Sequence, residues 1–226
     1  MKSEYFLLNI AIISGPLLLS FDKRVHFVKY WSALLPAIVA ALIPFIAWDI
    51  MVTGRHWQFN NDFVLPFRIL NLPPGEWLFF ITVPYACIFS WEVLAAYFSN
   101  RVLNIPKQIL LLVSIIFIVS GILLLFTQKE YTALVLIVTG LVVALDISLK
   151  TNIFRQSRTY YFSSFLVGLM LIFNGYLTAR PVVIYNPQYQ LNFRIFTIPI
   201  EDFFYGFALI FLVLIVYAKL KDFDNG

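Results

Sequence analysis

Phe67-Arg68-Ile69-Leu70-Asn71-Leu72-Pro73 stands directly before Pro74-Gly75-Glu76-Trp77, and 126 positions later Phe193-Arg194-Ile195-Phe196-Thr197-Ile198-Pro199 stands before Ile200-Glu201-Asp202-Phe203. Aligned without a gap, the 20-residue window 59–78 has six identities with its counterpart: Asn60, Leu65, Phe67, Arg68, Ile69 and Pro73. Phe59 also falls opposite Tyr185, Phe63 opposite Tyr189, Glu76 opposite Asp202 and Trp77-Leu78 opposite Phe203-Phe204. The chain therefore carries an internal repeat. Each copy ends a long polar connection, about 23 residues from Thr53 to Gly75 and 19 from Arg180 to Ile198, and long connections in compact folds usually carry function.

Outward from these connections the sequence is apolar. Of 226 residues, 61% are hydrophobic and 12% charged, against roughly 45–50% and 25% in a soluble domain, which excludes a water-soluble globule. Hydrocarbon about 30 Å thick takes roughly 20 apolar residues per helix. Seven such stretches follow one another: Tyr5–Phe21, Trp31–Val52, Glu76–Phe98, Gln108–Thr127, Tyr131–Leu149, Tyr160–Ala179 and Pro199–Tyr217. The expected fold is an all-α integral membrane protein of seven transmembrane helices. The first stretch has only Lys2 before it and no small-residue cleavage pattern before Asp22-Lys23-Arg24, so it is expected to remain in the mature protein.

The repeat joins helices 1–3 to helices 5–7 and leaves helix 4 as a connector, a parallel 3+1+3 plan with units 1–106, 107–129 and 130–226. Parallel repeats pack about an axis along the membrane normal, and sites form between them. Basic residues set the orientation. Lys23, Arg24, Lys29, Arg101, Lys107, Lys150, Arg155, Arg158, Lys219 and Lys221 lie on one side, against Lys2, Arg55, Arg68, Lys129, Arg180 and Arg194 on the other. Ten against six predicts an amino terminus outside and a carboxyl terminus in the cytoplasm. The net charge of +4 includes no dense basic cluster, so anionic lipid headgroups of the bilayer are the expected counterions and nucleic acid is not a partner.

Pro73 and Pro199 suit the first turn of a helix. Glu76, Glu201 and Asp202 follow them, where the helix dipole favours acids by about 0.3–1 kcal/mol each. Plain helix capping is one reading of these acids. The other is a functional cavity, because carboxyl groups at the edge of hydrocarbon are costly and here they recur in both copies. A carboxyl group taken out of water favours its neutral form, which makes these acids candidate proton donors. Trp77, Phe79, Phe80, Phe203, Phe204 and Tyr205 surround them; such rings stabilise cations or form an interfacial aromatic belt.

Asp49 and Asn174 each precede an acid, Glu76 and Glu201, by 27 residues. They either face the same cavity or mark where helices leave the bilayer. Arg68 and Arg194 have three available partners, the acids, the opposite copy or lipid phosphate, and carboxylate pairing is preferred. Glu92, deep in the third stretch, is a secondary candidate. His26 and His56 have no metal-ligand spacing and read as interfacial. Cys87 is the only cysteine, which excludes a disulfide framework. No dinucleotide, Walker A or zinc-protease motif is present, so neither a cofactor nor a metal is expected. The seventh stretch has no lysine before Lys219, which excludes a retinal Schiff base in mid-membrane.

Leu72-Pro73-Pro74-Gly75-Glu76-Trp77-Leu78-Phe79-Phe80, Ile198-Pro199-Ile200-Glu201-Asp202-Phe203-Phe204-Tyr205-Gly206-Phe207 and Phe21-Asp22-Lys23-Arg24-Val25 resemble the paired signature of the membrane-embedded lycopene cyclase domain family, in its fused single-chain form. The resemblance covers essentially the whole chain. The family motif P-x-E-[ED] is met by Pro199-Ile200-Glu201-Asp202, whereas Gly75 replaces the first acid in the other copy. The resemblance implies redox-neutral conversion of lycopene to β-carotene through γ-carotene in a bacterial inner membrane. It implies Glu76, Glu201 and Asp202 as the acid/base set, with Asp49, Asn174, Arg68, Arg194 and the rings supporting. Carotenoid hydrocarbons are the implied substrates, and other enzymes of the carotenoid pathway are eligible partners. Three rival readings are a carotenoid hydratase that lets water capture the same cation, a 3+1+3 small-solute transporter, and a non-catalytic carotenoid-binding subunit.

Overall fold

In this computed structural model residues 2–224 are described; Met1 and Asn225–Gly226, the chain ends to which the orientation expectation refers, lie outside the described residues. Of the described residues 71% are helical. Its main helices are α1 (Glu4–Leu19), α2 (Trp31–Val52), α3 (Pro74–Tyr97), α4 (Lys107–Leu125), α5 (Glu130–Leu149), α6 (Ser157–Leu169), α7 (Gly175–Ala179) and α8 (Ile200–Asp224). Among the described residues six helical stretches are long and apolar enough to cross a membrane: Phe27–Val52, Pro74–Tyr97, Lys107–Leu125, Glu130–Leu149, Ser157–Ala179 and Ile200–Asp222. The first helix is apolar but has 16 residues, about 24 Å at 1.5 Å per residue. It stops two residues before the expected end at Phe21. Ser20 closes it, with its Oγ bonded to the Pro16 carbonyl at 2.7 Å and to Tyr85 Oη at 2.6 Å.

The sixth expected helix, Tyr160–Ala179, is not regular. A π-helical turn, Met170–Asn174, separates α6 from α7. Such turns change which face a helix presents and are common at functional sites.

Helix α1 packs along α3, α5 along α8, α2 across α8, and α6 against α3. A shift of 126 residues carries each of these pairs onto another. Helix α4 instead lies along α5, where small residues let backbones approach. A Cβ on Gly121 would come within 2.6 Å of the Ala133 carbonyl oxygen, and one on Gly140 within 2.7 Å of the Ser114 carbonyl oxygen. Ser114 Oγ donates to the Gly140 carbonyl at 2.7 Å.

The two long connections meet. Strand β1 (Trp57–Phe59) pairs antiparallel with β2 (Val183–Tyr185), with Trp57 opposite Tyr185 and Phe59 opposite Val183. Exchanging each residue for the one 126 positions away turns the first pair into the second, so this ladder has a local two-fold. Each connection then makes the same tight hairpin before its helix. Ile69 bridges Leu72 in one, and in the other Ile195 of β3 (Arg194–Ile195) pairs with Ile198 of β4 (Ile198–Pro199). Pro74 opens α3 at a position where the missing N–H costs nothing.

Candidate active site

Below the β1–β2 ladder a cavity of about 370 Å³ is lined by Asp49 of α2, Glu76 and Phe79 of α3, Asn174 of the π turn, and Asp202 and Tyr205 of α8. Tyr5, Tyr131, Tyr185, Trp57 and Phe59 also line it. At its far end stand Leu8, Ile12 and Pro16 of α1 with Phe165 and Leu169 of α6. Phe165 reaches the outer surface there, 41% exposed.

Two carboxyl clusters face this space. In the first, Tyr5 Oη donates to Glu76 Oε2 at 2.7 Å and Tyr205 Oη to Asp49 Oδ1 at 2.9 Å, and both acids line the cavity. In the second, Asp202 accepts from Tyr131 Oη at 2.8 Å, Tyr185 Oη at 2.6 Å and Asn174 Nδ2 at 2.9 Å. Glu76 is 7% exposed, Asp202 6% and Asp49 1%. Burial first, and then the Asp202 charge, hold the Tyr185 phenol well above its usual pKa, so its proton stays in the hydrogen bond. Aromatic rings enclose the acids: Tyr205 lies 5.1 Å from Phe45 and 5.2 Å from Trp48, and Tyr131 lies 5.1 Å from Trp57, centroid to centroid.

Of the residues singled out in the sequence, Glu76, Asp202, Asp49, Asn174, Phe79 and Tyr205 thus meet at one cavity. Glu201 departs from that expectation. It is fully buried but does not line the cavity; its Oε1 accepts from Thr132 Oγ1 at 2.6 Å and from the Leu191 backbone N–H at 2.7 Å. It ties the second connection to α5. The first copy has no room for its equivalent, because a Cβ on Gly75 would sit 2.7 Å from Tyr5 Cδ1.

The preferred pairing of Arg68 and Arg194 with carboxylates is corrected by the structure. Arg68 donates to the Leu65 carbonyl at 2.6 Å, in the chain leading into the first hairpin, and Arg194 to the Thr197 carbonyl at 2.6 Å, inside the second. Arg194 also lies over the Tyr185 ring, 5.7 Å from its centroid. Trp77 Nε1 donates to the Ile69 carbonyl at 3.1 Å. Phe80 packs between Phe45 and Phe79, and Phe203 is buried away from the cavity. Phe204 faces a separate apolar groove and meets Phe117 at 5.9 Å.

Glu92 is ion-paired with Lys221 at 2.8 Å and accepts from Tyr217 at 2.9 Å, which bolts α3 to the end of α8. His56 is another correction. Instead of lying at the interface it is 2% exposed, 3.1 Å from Glu130 Oε2. Among the described residues no group of three or more His, Cys, Asp or Glu side chains is arranged to hold a metal ion.

Sequence reasoning missed Tyr5, Tyr131 and Tyr185. A signal for the first two existed: they are themselves 126 residues apart, and each donates to the acid 71 residues further on. Extending the repeat toward the amino terminus would have found them.

No curated protein matches this chain, and no solved structure does. The family model described as lycopene cyclase matches twice, over residues 2–94 and 128–220. The starts and the ends of the two matches both differ by 126, the offset of the motif and of the paired tyrosines. With both matches together covering most of the chain, and with apolar helices of membrane-spanning length, the protein belongs to the lycopene cyclase family, integral membrane enzymes of carotenoid cyclisation.

Proposed function

We propose that this chain converts lycopene to β-carotene, with γ-carotene as the half-cyclised intermediate. Seven helices cross the membrane on this reading, α1 among them, in a 3+1+3 plan of units 1–106, 107–129 and 130–226. The termini lie as the basic-residue count predicts, the amino terminus outside and the carboxyl terminus in the cytoplasm. Lycopene reaches the cavity sideways from the bilayer of a bacterial inner membrane, past Phe165 at the far end. Other enzymes of the carotenoid pathway are partners through the shared hydrophobic substrate.

The reaction needs one proton donated and one removed. A carboxylic acid protonates the terminal double bond of an acyclic end, leaving a tertiary cation, and ring closure and proton loss follow. General acid–base assistance of this kind is worth roughly 10²–10⁴ in rate. Glu76, Asp202 and Asp49 supply it, and the rings of Tyr205, Trp48, Phe45 and Trp57 face the cation in place of water. Glu201, Arg68 and Arg194 hold the connections that carry the acids.

The observation that carries this reading is the meeting of Glu76 and Asp202, from motif copies 126 residues apart, at one aromatic-lined cavity. Expression in a lycopene-accumulating bacterial host, followed by pigment extraction and chromatography, tests it. Cyclised products are expected. Unchanged lycopene, with the protein present in the membrane, would sink the proposal.

A further inference from the structure

From Glu76 the cavity runs along α3 past Phe79, Val83, Ala86 and Ser90, a distance of about 21 Å at 1.5 Å per residue. Tyr205, Gly206 and Leu209 of α8 form a second wall, and α1 and α6 stand to either side. Beyond Ser90 the space is shut by the buried rings of Trp91 on α3, Phe162 on α6 and Phe211 on α8. Trp91 meets Phe162 at 5.3 Å and Phe162 meets Phe211 at 6.2 Å, centroid to centroid. With the β1–β2 ladder at the other end, the way out is sideways between α1 and α6, where Ile12 and Pro16 are half-buried and Phe165 is exposed.

The 126-residue offset maps this channel onto a cleft along α8 between α5 and α2, where the same positions carry larger side chains. Val83, Ala86, Cys87 and Ser90 correspond to Leu209, Leu212, Val213 and Val216. Gly206, which adds no side chain to the channel wall, corresponds to Phe80, buried 6.4 Å from the ring of Phe45. Phe45 and Trp48 of α2 cover Tyr205 at 5.1 and 5.2 Å. Their counterparts, Leu171 and Asn174, lie in the π turn, where Leu171 is exposed and Asn174 is bonded to Asp202. The counterpart of Tyr205, Phe79, is left lining the channel. Helix α2 buries ten residues, whereas Ser157–Ala179, of nearly the same length, buries four. One cleft is packed and its mirror image is open.

We infer that the polyene of the substrate lies in the channel along α3 and leaves between α1 and α6, that the mirror cleft is closed to it, and that the two ends of one molecule therefore react in separate visits. This rests on the cyclase reading above. Ala86, Ser90 and Gly206 are the residues whose small size admits the chain. The Ser90 hydroxyl is bonded to the Ala86 carbonyl at 2.8 Å, so this stretch of wall presents an apolar surface to a hydrocarbon. The channel is continuous with the acids that an end group must reach, and sites of this kind are mostly apolar with a few placed polar groups.

A conjugated polyene is stiff, so the end left in the bilayer cannot fold back to the same acids. Once the first ring has closed, the molecule must withdraw between α1 and α6 before its second acyclic end can enter. This places γ-carotene free in the bilayer between the two ring closures.

Filling the channel with a residue of the mirror cleft tests the site. In a Glu76→Gln background, chosen to measure binding without turnover, the full-length protein is purified from a lycopene-accumulating host and its bound lycopene is read by absorption. Adding Ala86→Leu is expected to lower lycopene per protein about tenfold, and the reciprocal change Leu212→Ala to leave it within twofold. In vesicles, Ala86→Leu in the otherwise unsubstituted protein is expected to raise KM, as a mole fraction of lycopene, about tenfold with kcat within threefold, the pattern of lost binding and not of lost acid chemistry. Should Ala86→Leu fail to accumulate, Ser90→Val adds less bulk and is expected to move both readings about threefold. The separate visits are tested by isotope-labelled lycopene in vesicles that also hold an excess of unlabelled γ-carotene, where label is expected to enter the γ-carotene pool before it reaches β-carotene.

Equal lycopene in the channel variants and their Glu76→Gln parent, none in that parent, an equal fall with Leu212→Ala, or a loss of kcat at constant KM would overturn the channel. Label passing to β-carotene without entering the γ-carotene pool would overturn the separate visits. Lycopene binding that depends on Ala86 in a protein that forms no ring would instead sink the cyclase reading and leave the binding site standing.

Discussion

The two carboxyl clusters are built alike up to one partner: Glu76 is held by Tyr5 and shares its cavity with Asp49, whereas Asp202 is held by Tyr131 and accepts from Asn174. The phenols correspond under the 126-residue offset and the second partners do not. Asp49 corresponds to Gly175, but the residue that reaches Asp202 is Asn174, one position earlier and inside the π-helical turn Met170–Asn174. A π turn alters the phase of a helix, and here it brings an amide to the place where the other cluster has an acid. A shared phenol braces each acid, while the second partner has diverged between the two halves.

The strongest way to break this comparison is to make the clusters identical. Asn174→Asp sets a second carboxyl against Asp202, and the new pair must then hold a proton of its own. The charge that Asp202 carries changes, and ring formation is expected to fall by about 10²-fold, within the range of general acid–base effects. Chromatography of pigments from a lycopene-accumulating host, normalised to membrane protein, measures it. Ring formation within twofold of the unsubstituted protein would show that the amide at Asn174 is not what separates the clusters.

A smaller effect sharpens the other asymmetry, Gly75 against Glu201. A Cβ at Gly75 meets the Tyr5 ring at 2.7 and 3.0 Å, where the phenol is fixed by its bond to Glu76. Gly206 offers a control, because a Cβ there meets Met170 Cε at 2.8 Å, the end of a flexible side chain. Gly75→Ala is expected to cost roughly 1–3 kcal/mol, the usual range for overpacking. Gly206→Ala is expected to cost less than Gly75→Ala. Thermal unfolding of the detergent-solubilised proteins compares them, and equal losses would show that Tyr5 yields as readily as Met170.

Much of this arrangement was legible in the sequence. Apolar stretches placed the six helices of membrane-spanning length within a few residues of where they are. The offset of 126 brought Glu76 and Asp202 to the same line of argument before any geometry was known. What was not legible has physical reasons. Arg68 and Arg194 could satisfy their charge with carboxylates or with nearby carbonyls; Arg68 reaches back to Leu65, while the tight turn at Phe196, with φ of 54°, brings the Thr197 carbonyl to Arg194. Glu201 precedes Asp202 by one residue, but successive helical residues point about 100° apart, so adjacent acids cannot share a cavity wall by default. Tyr5 lay at the start of an apolar run and offered no local signal; its meaning comes from Tyr131.

The smallest expected effect concerns a residue found in one half only. His56 corresponds to Val182, and both are buried, but the histidine sits among Glu130, Arg55, Tyr131 and Tyr189, with its Nε2 3.1 Å from Glu130 and its ring 4.8 Å from that of Tyr189. Arg55 also pairs with Glu130. Burial outweighs the Glu130 carboxylate and holds the His56 pKa below its ordinary value near 6.5. The unfolded chain therefore binds a proton more readily than the folded one as pH falls through that value, so stability from the neutral imidazole is present above about pH 6.5 and is lost below it. The variant His56→Gln isolates this contribution. Between pH 7 and pH 5 the unfolding temperature of the solubilised protein is expected to drop further than that of His56→Gln. Parallel curves would mean that Glu130 compensates the burial, and that the two halves respond to acid alike.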